Sequence, residues 1–344
     1  MLLEGLYLPL TTPFSADGRL NLKKLEQNVE RYSLAPGAGL VALYGTGEPS
    51  MLSDEEARQV LRGAAGTAAA EKVLVAGVSR DSVAGTLDVA EYAAGLGYDA
   101  VLVKQPGVLR GRSPKEALQY FQMVADRSAL PVVLLSELEG MLSPELVAEL
   151  AAHPGVIGMV DAGADRQRVE RLRSLTAAVR REVTVTAVFA AVTGRMLGRQ
   201  AGGEWVPAES LTGGSGVAVV PKKMTARTRT KTVGFQILTG GVGGVLEGLR
   251  GGAVGAVAAF AACAPQACYE VLAAWKDGDE GLAEEKQRRL GGIARRIEAQ
   301  LGVPGIKYGC DLNGYYGGPA RLPLLPLTGA ERNEVEELML GIRN

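Results

Sequence analysis

Residues 72–104 read KVLVAGVSRDSVAGTLDVAEYAAGLGYDAVLVK. Two short apolar runs, Lys72–Gly77 and Ala100–Lys104, flank a stretch whose apolar residues recur at helical spacing, so the segment predicts strand, helix, strand. The runs are apolar at consecutive positions rather than alternate ones, as in strands buried on both faces of a parallel sheet. Working outward, the same unit recurs. Further strand candidates are Gly5–Leu10, Leu40–Leu43, Pro131–Leu135, Gly155–Val160, Val233–Leu238 and Val254–Phe260. Eight such strands separated by helices fit a (β/α)8 TIM barrel, an α/β architecture, better than an open doubly wound sheet, which periodicity alone leaves as the alternative.

Helix starts carry their own signatures. Ser53-Asp-Glu-Glu56 and Ser113-Pro-Lys-Glu116 read as capping boxes, and Ser143-Pro-Glu145 as a cap followed by proline in the first turn. A sixth helix is expected over Asp165–Arg181. Residues 183–232 then separate it from the seventh strand with far more chain than an αβ loop needs, marking an insertion. Its basic residues Arg195, Arg199, Lys222, Lys223, Arg227, Arg229 and Lys231 outnumber Glu204 and Glu209, giving the insertion +5 and the rest of the chain −6. Because it joins a helix to a following strand, its anchors belong on the stability face of a barrel, and its charge reads as an interface or a solvated hairpin. The expected organisation is a barrel over 1–260, interrupted by 183–232, and a C-terminal helical region over 261–344, with helices over 264–301 and 328–342.

At 344 residues the chain can bury a large core. Its 37 basic and 38 acidic residues leave a net charge of −1, which supplies no general field for nucleic acid or an anionic membrane. Cys263, Cys268 and Cys310 show no CxxC spacing and read as reduced, packed thiols of a cytoplasmic protein. The single histidine, His153, stands in Ala-Ala-His-Pro-Gly, where it marks a helix end, and no metal or cofactor site is expected. No window offers an uninterrupted apolar span for a bilayer.

A barrel of this kind carries its chemistry at the C-terminal ends of the strands. The residues expected there are Thr11 and Thr12, Tyr44 to Glu48, Ser79, Lys104 and Gln105, Ser136 and Glu137, Asp161, and Thr239 to Gly241. They form a polar mouth with a lysine and several carboxylates, able to serve amine or acid–base chemistry or simply to pair with one another. The Gly-Thr-Gly-Glu and Gly-Gly-Val-Gly-Gly runs lack the lysine and the register of nucleotide loops.

With these residues in hand, the chain resembles the dihydrodipicolinate synthase and N-acetylneuraminate lyase superfamily of class I aldolase barrels. The likeness is carried by Leu10-Thr-Thr-Pro-Phe14 with Asp17-Gly18, by Gly45-Thr-Gly-Glu48 followed by Leu52-Ser-Asp-Glu-Glu56, and by Gly77-Val78. Gly252-Ala-Val-Gly255, Ala274-Trp-Lys-Asp-Gly278 and Gly317-Gly-Pro-Ala-Arg-Leu-Pro-Leu-Leu325 complete it. The resemblance implies a lyase acting on a small carboxylate or 2-oxo acid, without cofactor, in a homo-oligomer (dimer or tetramer).

It also implies residues that are missing. The family's Schiff-base lysine at the end of strand six aligns with Val160, its proton-relaying tyrosine on strand five with Leu135, and a carboxylate-binding arginine with Gly140. Of the second-strand loop, Thr46 matches the threonine that contacts substrate carboxylate, while Gly240 and Val257 match positions lining the same pocket. Without an amine on strand six there is no iminium to act as electron sink. Three readings follow: Lys104 replaces the lysine, with Glu137 and Asp161 nearby, unless it only pairs with Glu137; Glu48, Glu137 or Asp161 performs different acid–base chemistry; or the protein binds a small ligand or serves assembly without catalysis. The substrate-facing set expected is Thr12, Tyr44, Thr46, Glu48, Leu135, Val160, Gly240 and Val257.

Overall fold

The computed structural model describes residues 1–201 and 228–342, with the side chains of 199–201 set aside. Eight parallel strands, β1 (Gly5–Pro9), β2 (Gly39–Ala42), β3 (Val73–Gly77), β4 (Ala100–Lys104), β5 (Val132–Ser136), β6 (Val156–Asp161), β9 (Gln236–Thr239) and β10 (Gly255–Val257), close into a barrel in that order. The consecutive apolar runs follow from burial on both faces. Tyr7, Val41, Val75, Leu102, Val133, Leu135, Val160, Leu238 and Val257 point inward and fill the barrel. Leu8, Leu40, Leu74, Val101, Leu134 and Met159 point outward under the helices.

Around the barrel lie α1 (Leu22–Leu34), α2 (Asp54–Thr67), α3 (Val83–Gly95), α4 (Pro114–Arg127), α5 (Pro144–Ala151), α6 (Arg166–Leu175) and α8 (Val245–Gly251). Ser53 and Glu56 form the expected capping box. Ser113 instead accepts from Lys115 N, one residue short of Glu116, so it caps the helix without forming the expected box. Ser143 caps α5 through Leu146 N, and the helix ends ahead of His153, whose ring bonds to Asp126 and Gly155.

Three boundaries depart from the sequence reading. The sixth helix stops at Leu175 rather than Arg181, because Thr176 turns its hydroxyl back onto Leu172 O and the alternation Glu182-Val-Thr-Val-Thr186 has a strand's period of two. That alternation is β7 (Arg181–Thr186), paired antiparallel with β8 (Thr228–Val233). Val233 therefore closes the hairpin instead of opening the seventh barrel strand, which begins after Gly234 at Gln236. The run expected as one strand to Phe260 leaves the sheet after Val257 and enters a 3-10 turn, Ala259–Ala262.

The hairpin sits where the connectivity requires. Val183, Val185 and Val233 cluster with Leu2, and α7 (Gly194–Ala201) is anchored by Thr193 to Ala70 O and by Gly194 N to Asp99 Oδ1 at 3.0 Å. Ala70 and Asp99 precede β3 and β4, so this is the N-terminal face, opposite the strand ends expected to carry chemistry. Of the insertion's charges, Glu204, Glu209, Lys222, Lys223 and Arg227 lie outside the described residues.

Beyond β10 the expected helical stretch 264–301 is divided at Asp277–Asp279 into α9 (Pro265–Lys276) and α10 (Glu280–Ala294), and α10 continues into a π-helical turn, Arg295–Gln300. An unanticipated helix, α11 (Gly302–Leu312), follows; Gly302, Gly305 and Gly309 had obscured its period. α12 (Gly329–Met339) opens on the Thr328/Glu331 capping box. The three cysteines are buried free thiols, each shifted up by burial.

Candidate active site

The mouth is shaped first by backbone. Leu43 and Glu48 both take left-handed φ, 57° and 53°, an arrangement that side-chain-bearing residues hold only when their surroundings enforce it. The Leu43 carbonyl lies where a Cβ on Gly77 would be, 2.3 Å away, so glycine at the end of β3 is what admits the kink after β2. Thr12 donates to Gly47 O at 2.6 Å and Thr46 to Leu10 O at 3.3 Å, stitching the loops after β1 and β2 together. Both buried hydroxyls thus spend their protons on backbone.

Glu48 turns away from the mouth into the C-terminal region. Its Oε1 lies 2.5 Å from the buried Lys307 Nζ and its Oε2 accepts from Arg321 N at 2.7 Å. Lys307 also donates to Pro319 O and stands 4.5 Å from the Phe14 ring centre. Burial lowers the lysine's affinity for its proton and the Glu48 carboxylate opposes that shift. Asp161 likewise faces the helices: its wholly buried carboxylate is 2.5 Å from Arg168 Nε and accepts from Gly163 N. Gly240 packs where any Cβ would meet Ala162 backbone at 2.7 Å, so it serves the close approach of β9 to β6.

Val160, Leu135 and Val257 lie on the inward face with Leu102 and Leu238; Val160 and Val257 border a void of only about 10 Å³, whereas Leu135 lines the open mouth. Tyr44 packs against this cluster, and its hydroxyl is raised by burial and by the Glu298 and Glu137 carboxylates.

The open part of the mouth lies over β2 to β5. A cavity of about 510 Å³ is lined by Tyr44, Ser79, Arg80, Lys104, Arg110, Leu135 and Glu137 among others. Lys104 Nζ is 3.2 Å from Glu137 Oε1, Arg110 is 3.0 Å from Glu137 Oε2, and Lys104 N donates to Ser79 Oγ. Arg80 pairs with the exposed Asp54 at 3.1 Å. The three proposed catalytic residues therefore separate: Lys104 and Glu137 meet here, Asp161 does not. Arg80 and Arg110 were missed because the sequence reading ended at the strand tips, a few residues short of them. Glu298, from the π-helical turn, carried no strand-end signal.

Across the mouth, Glu298 accepts from Ala259 N at 3.3 Å and from Val242 N at 3.4 Å, holding the loops after β9 and β10. Burial pushes its carboxyl up to about 7, against those backbone amides. Among the described residues no group of His, Cys, Asp and Glu is disposed to hold a metal.

The dihydrodipicolinate synthetase family profile matches residues 2–185 and 215–340. The chain belongs to this family. Among similar proteins, the 4-hydroxy-tetrahydrodipicolinate synthase of Acidiphilium cryptum (strain JF-5) is 26% identical over 345 residues, covering 98% of each chain. That of Xanthomonas axonopodis pv. citri (strain 306) is 36% identical over 181 residues, 51% of this chain and 59% of its own. The chain thus spans about three fifths of the length of that relative. A Bacillus anthracis dihydrodipicolinate synthase superposes with a TM-score of 0.79 at 20% identity over 99% of each chain. An E. coli K12 prophage protein of the dihydrodipicolinic acid synthase family, solved in complex with pyruvate, gives 0.76 at 22%, also over 99% of each chain. These establish the dihydrodipicolinate synthetase fold for the described residues. No helix of the described residues is long and apolar enough to cross a membrane.

Proposed function

We propose that this family member takes a small carboxylate, a 2-oxo acid by preference, at the cations of the β2–β5 side of the mouth, and that it does so without an iminium on strand six. The observation that carries this reading is the cavity holding Arg80, Lys104 and Arg110, whose floor shares Leu102 and Leu135 with the apolar interior around Val160. An anion bridged by lysine and arginine is the arrangement Glu137 already models, and arginine suits carboxylates through its planar pair of donors. Lys104 is already engaged by Glu137 at 3.2 Å, an ion-pair geometry that suits holding a carboxylate.

What chemistry follows rests on the groups that reach the bound acid. Of the three carboxylates expected to do acid–base work, Glu48 and Asp161 are committed to buried ion pairs and Glu137 alone lines the cavity, in keeping with a lyase-type reaction. A second reading is supported by Lys104 being the lysine that lines this cavity: a Schiff base formed there, two strands from the usual place. A purely binding or assembly role is the alternative to this chemistry; a homo-oligomeric state, a cytoplasmic setting and the division into barrel (1–260) and helical region (261–344) belong to the same proposal.

Calorimetric titration with pyruvate and a panel of 2-oxo acids tests it, alongside borohydride treatment and peptide mass mapping. We expect binding in the wild type, at least tenfold weaker in Lys104→Met and Arg110→Ala, and no reduced adduct. An adduct on Lys104 replaces the first reading with the second; absence of binding by any acid overturns both.

A further inference from the structure

The loops after β9 and β10 converge on one carboxylate, and that carboxylate belongs to the protein. Val242 N donates to Glu298 Oε2 and Ala259 N to Glu298 Oε1, and the Phe260 amide also stabilises the charged form. The donors come from two separate loops and reach both oxygens, as they would for a bound oxyanion. In barrels of this architecture the loops after the last two strands frequently hold a ligand's phosphate. Among the described residues no lysine or arginine pairs with Glu298. A structural carboxylate placed to hold the C-terminal helices would gain more from one of the many arginines nearby in sequence, such as Arg295 or Arg296. Arg296 pairs with Glu334 instead.

The side chain reaches the amides because α10 runs into a π-helical turn at Arg295–Gln300, an irregularity that alters the direction of side chains relative to a continuous α-helix and recurs at functional sites. The carboxyl group is enclosed, with Tyr44, Cys263 and Cys268 as the titratable groups around it.

We propose that the amides of Val242, Ala259 and Phe260 form an oxyanion-binding cradle at the mouth, and that Glu298 occupies it as a tethered internal ligand that excludes external carboxylate or phosphate. The cradle assignment stands on its own; its consequence, that a substrate's carboxylate is received on the opposite side by Arg80, Lys104 and Arg110, rests on the function proposed above.

Removing the tethered carboxylate tests the cradle. Full-length wild type, Glu298→Ala and Glu298→Gln are compared by thermal unfolding at pH 8, with inorganic phosphate or acetate against chloride at matched ionic strength. Both anions are expected to raise the Tm of Glu298→Ala several degrees more than that of the wild type, with Glu298→Gln between them because its amide nitrogen opposes one of the donors. Phosphate acting alone marks the cradle as a phosphate subsite, and acetate acting equally marks it as a general carboxylate site. Equal anion shifts in the wild type and in whichever variants fold overturn the proposal. Lys104→Met, run in parallel, is expected to weaken pyruvate binding and leave the anion rescue of Glu298→Ala unchanged, so failure of the cradle and failure of the carboxylate-binding reading give different results.

Discussion

Two sides of one barrel mouth hold a carboxylate in opposite ways. Over β4 and β5, Glu137 lies between the side-chain cations of Lys104 and Arg110, a third exposed and beside an open cavity. Over β9 and β10, Glu298 is enclosed and held by backbone amides, with no lysine or arginine pairing with it among the described residues. Flexible cations in contact with solvent can exchange one carboxylate for another at small cost, whereas fixed amides in a dry site select a single well-placed oxyanion. The first side therefore suits an exchanging ligand and the second a resident one.

The largest effect is expected beneath both, at the buried Glu48–Lys307 pair. Glu48→Ala leaves an ammonium buried without its carboxylate and should cost about 3–5 kcal/mol in urea denaturation. A paired Glu48→Leu, Lys307→Met replacement should recover most of it, because two apolar groups need no solvation. If Glu48→Ala is harmless, the loop after β2 is held by its threonines alone and burial does not separate the carboxylates.

Glu298 titrates in the opposite sense from a paired carboxylate. Its pKa in the folded protein is raised to about 7, so its contribution to stability is complete below about pH 4.5 and is lost as pH rises through 7, amounting to roughly 3 kcal/mol. Denaturation across pH 4.5–8.5 should show this decline in the wild type and lose it in Glu298→Gln. A decline of equal size in the variant shows that a group other than Glu298 carries it, and one outside the neighbouring Tyr44, Cys263 and Cys268, whose raised pKa values keep them protonated across this range.

Glu56 supplies the acid-side counterpart. The Arg321 guanidinium holds its carboxyl down at about 2, so that stability is present above about pH 4.5 and is lost as pH falls toward 2. Since the group is partly exposed, about 1 kcal/mol is expected, measured as the acid-unfolding difference between wild type and Glu56→Gln. The smallest change in stability, within about 1 kcal/mol, belongs to Glu137→Gln at the rim. The same substitution removes the internal competitor for Lys104 and Arg110 and should tighten pyruvate binding several-fold; weaker binding would make Glu137 a direct ligand of the acid.

The barrel was legible because strands buried on both faces leave continuous apolar runs, and helix caps such as Ser53–Glu56 advertise their own boundaries. Val160, Leu135 and Val257 point inward, positions that the family resemblance, and no local pattern, had singled out. Less of the site could be read. Thr12, Thr46, Glu48 and Asp161 have the right chemistry at the right strand ends, yet their hydrogen bonds turn them to backbone, Lys307 and Arg168. Strand-end position fixes which face of the molecule a residue occupies, but which way its side chain turns depends on partners far away in sequence.

The sequence by itself determined the repeated βα pattern, the polar mouth and the absence of lysine at position 160, since each is a local property of residue type and spacing. Only the tertiary structure decided that Lys104 and Arg110 share Glu137, that Thr193 and Gly194 anchor the start of α7 at the far end of the barrel, and that Glu298 crosses from a C-terminal helix to the loops after β9 and β10. Those contacts join elements brought together by barrel closure and helix docking, long-range packing that no local pattern of residues encodes.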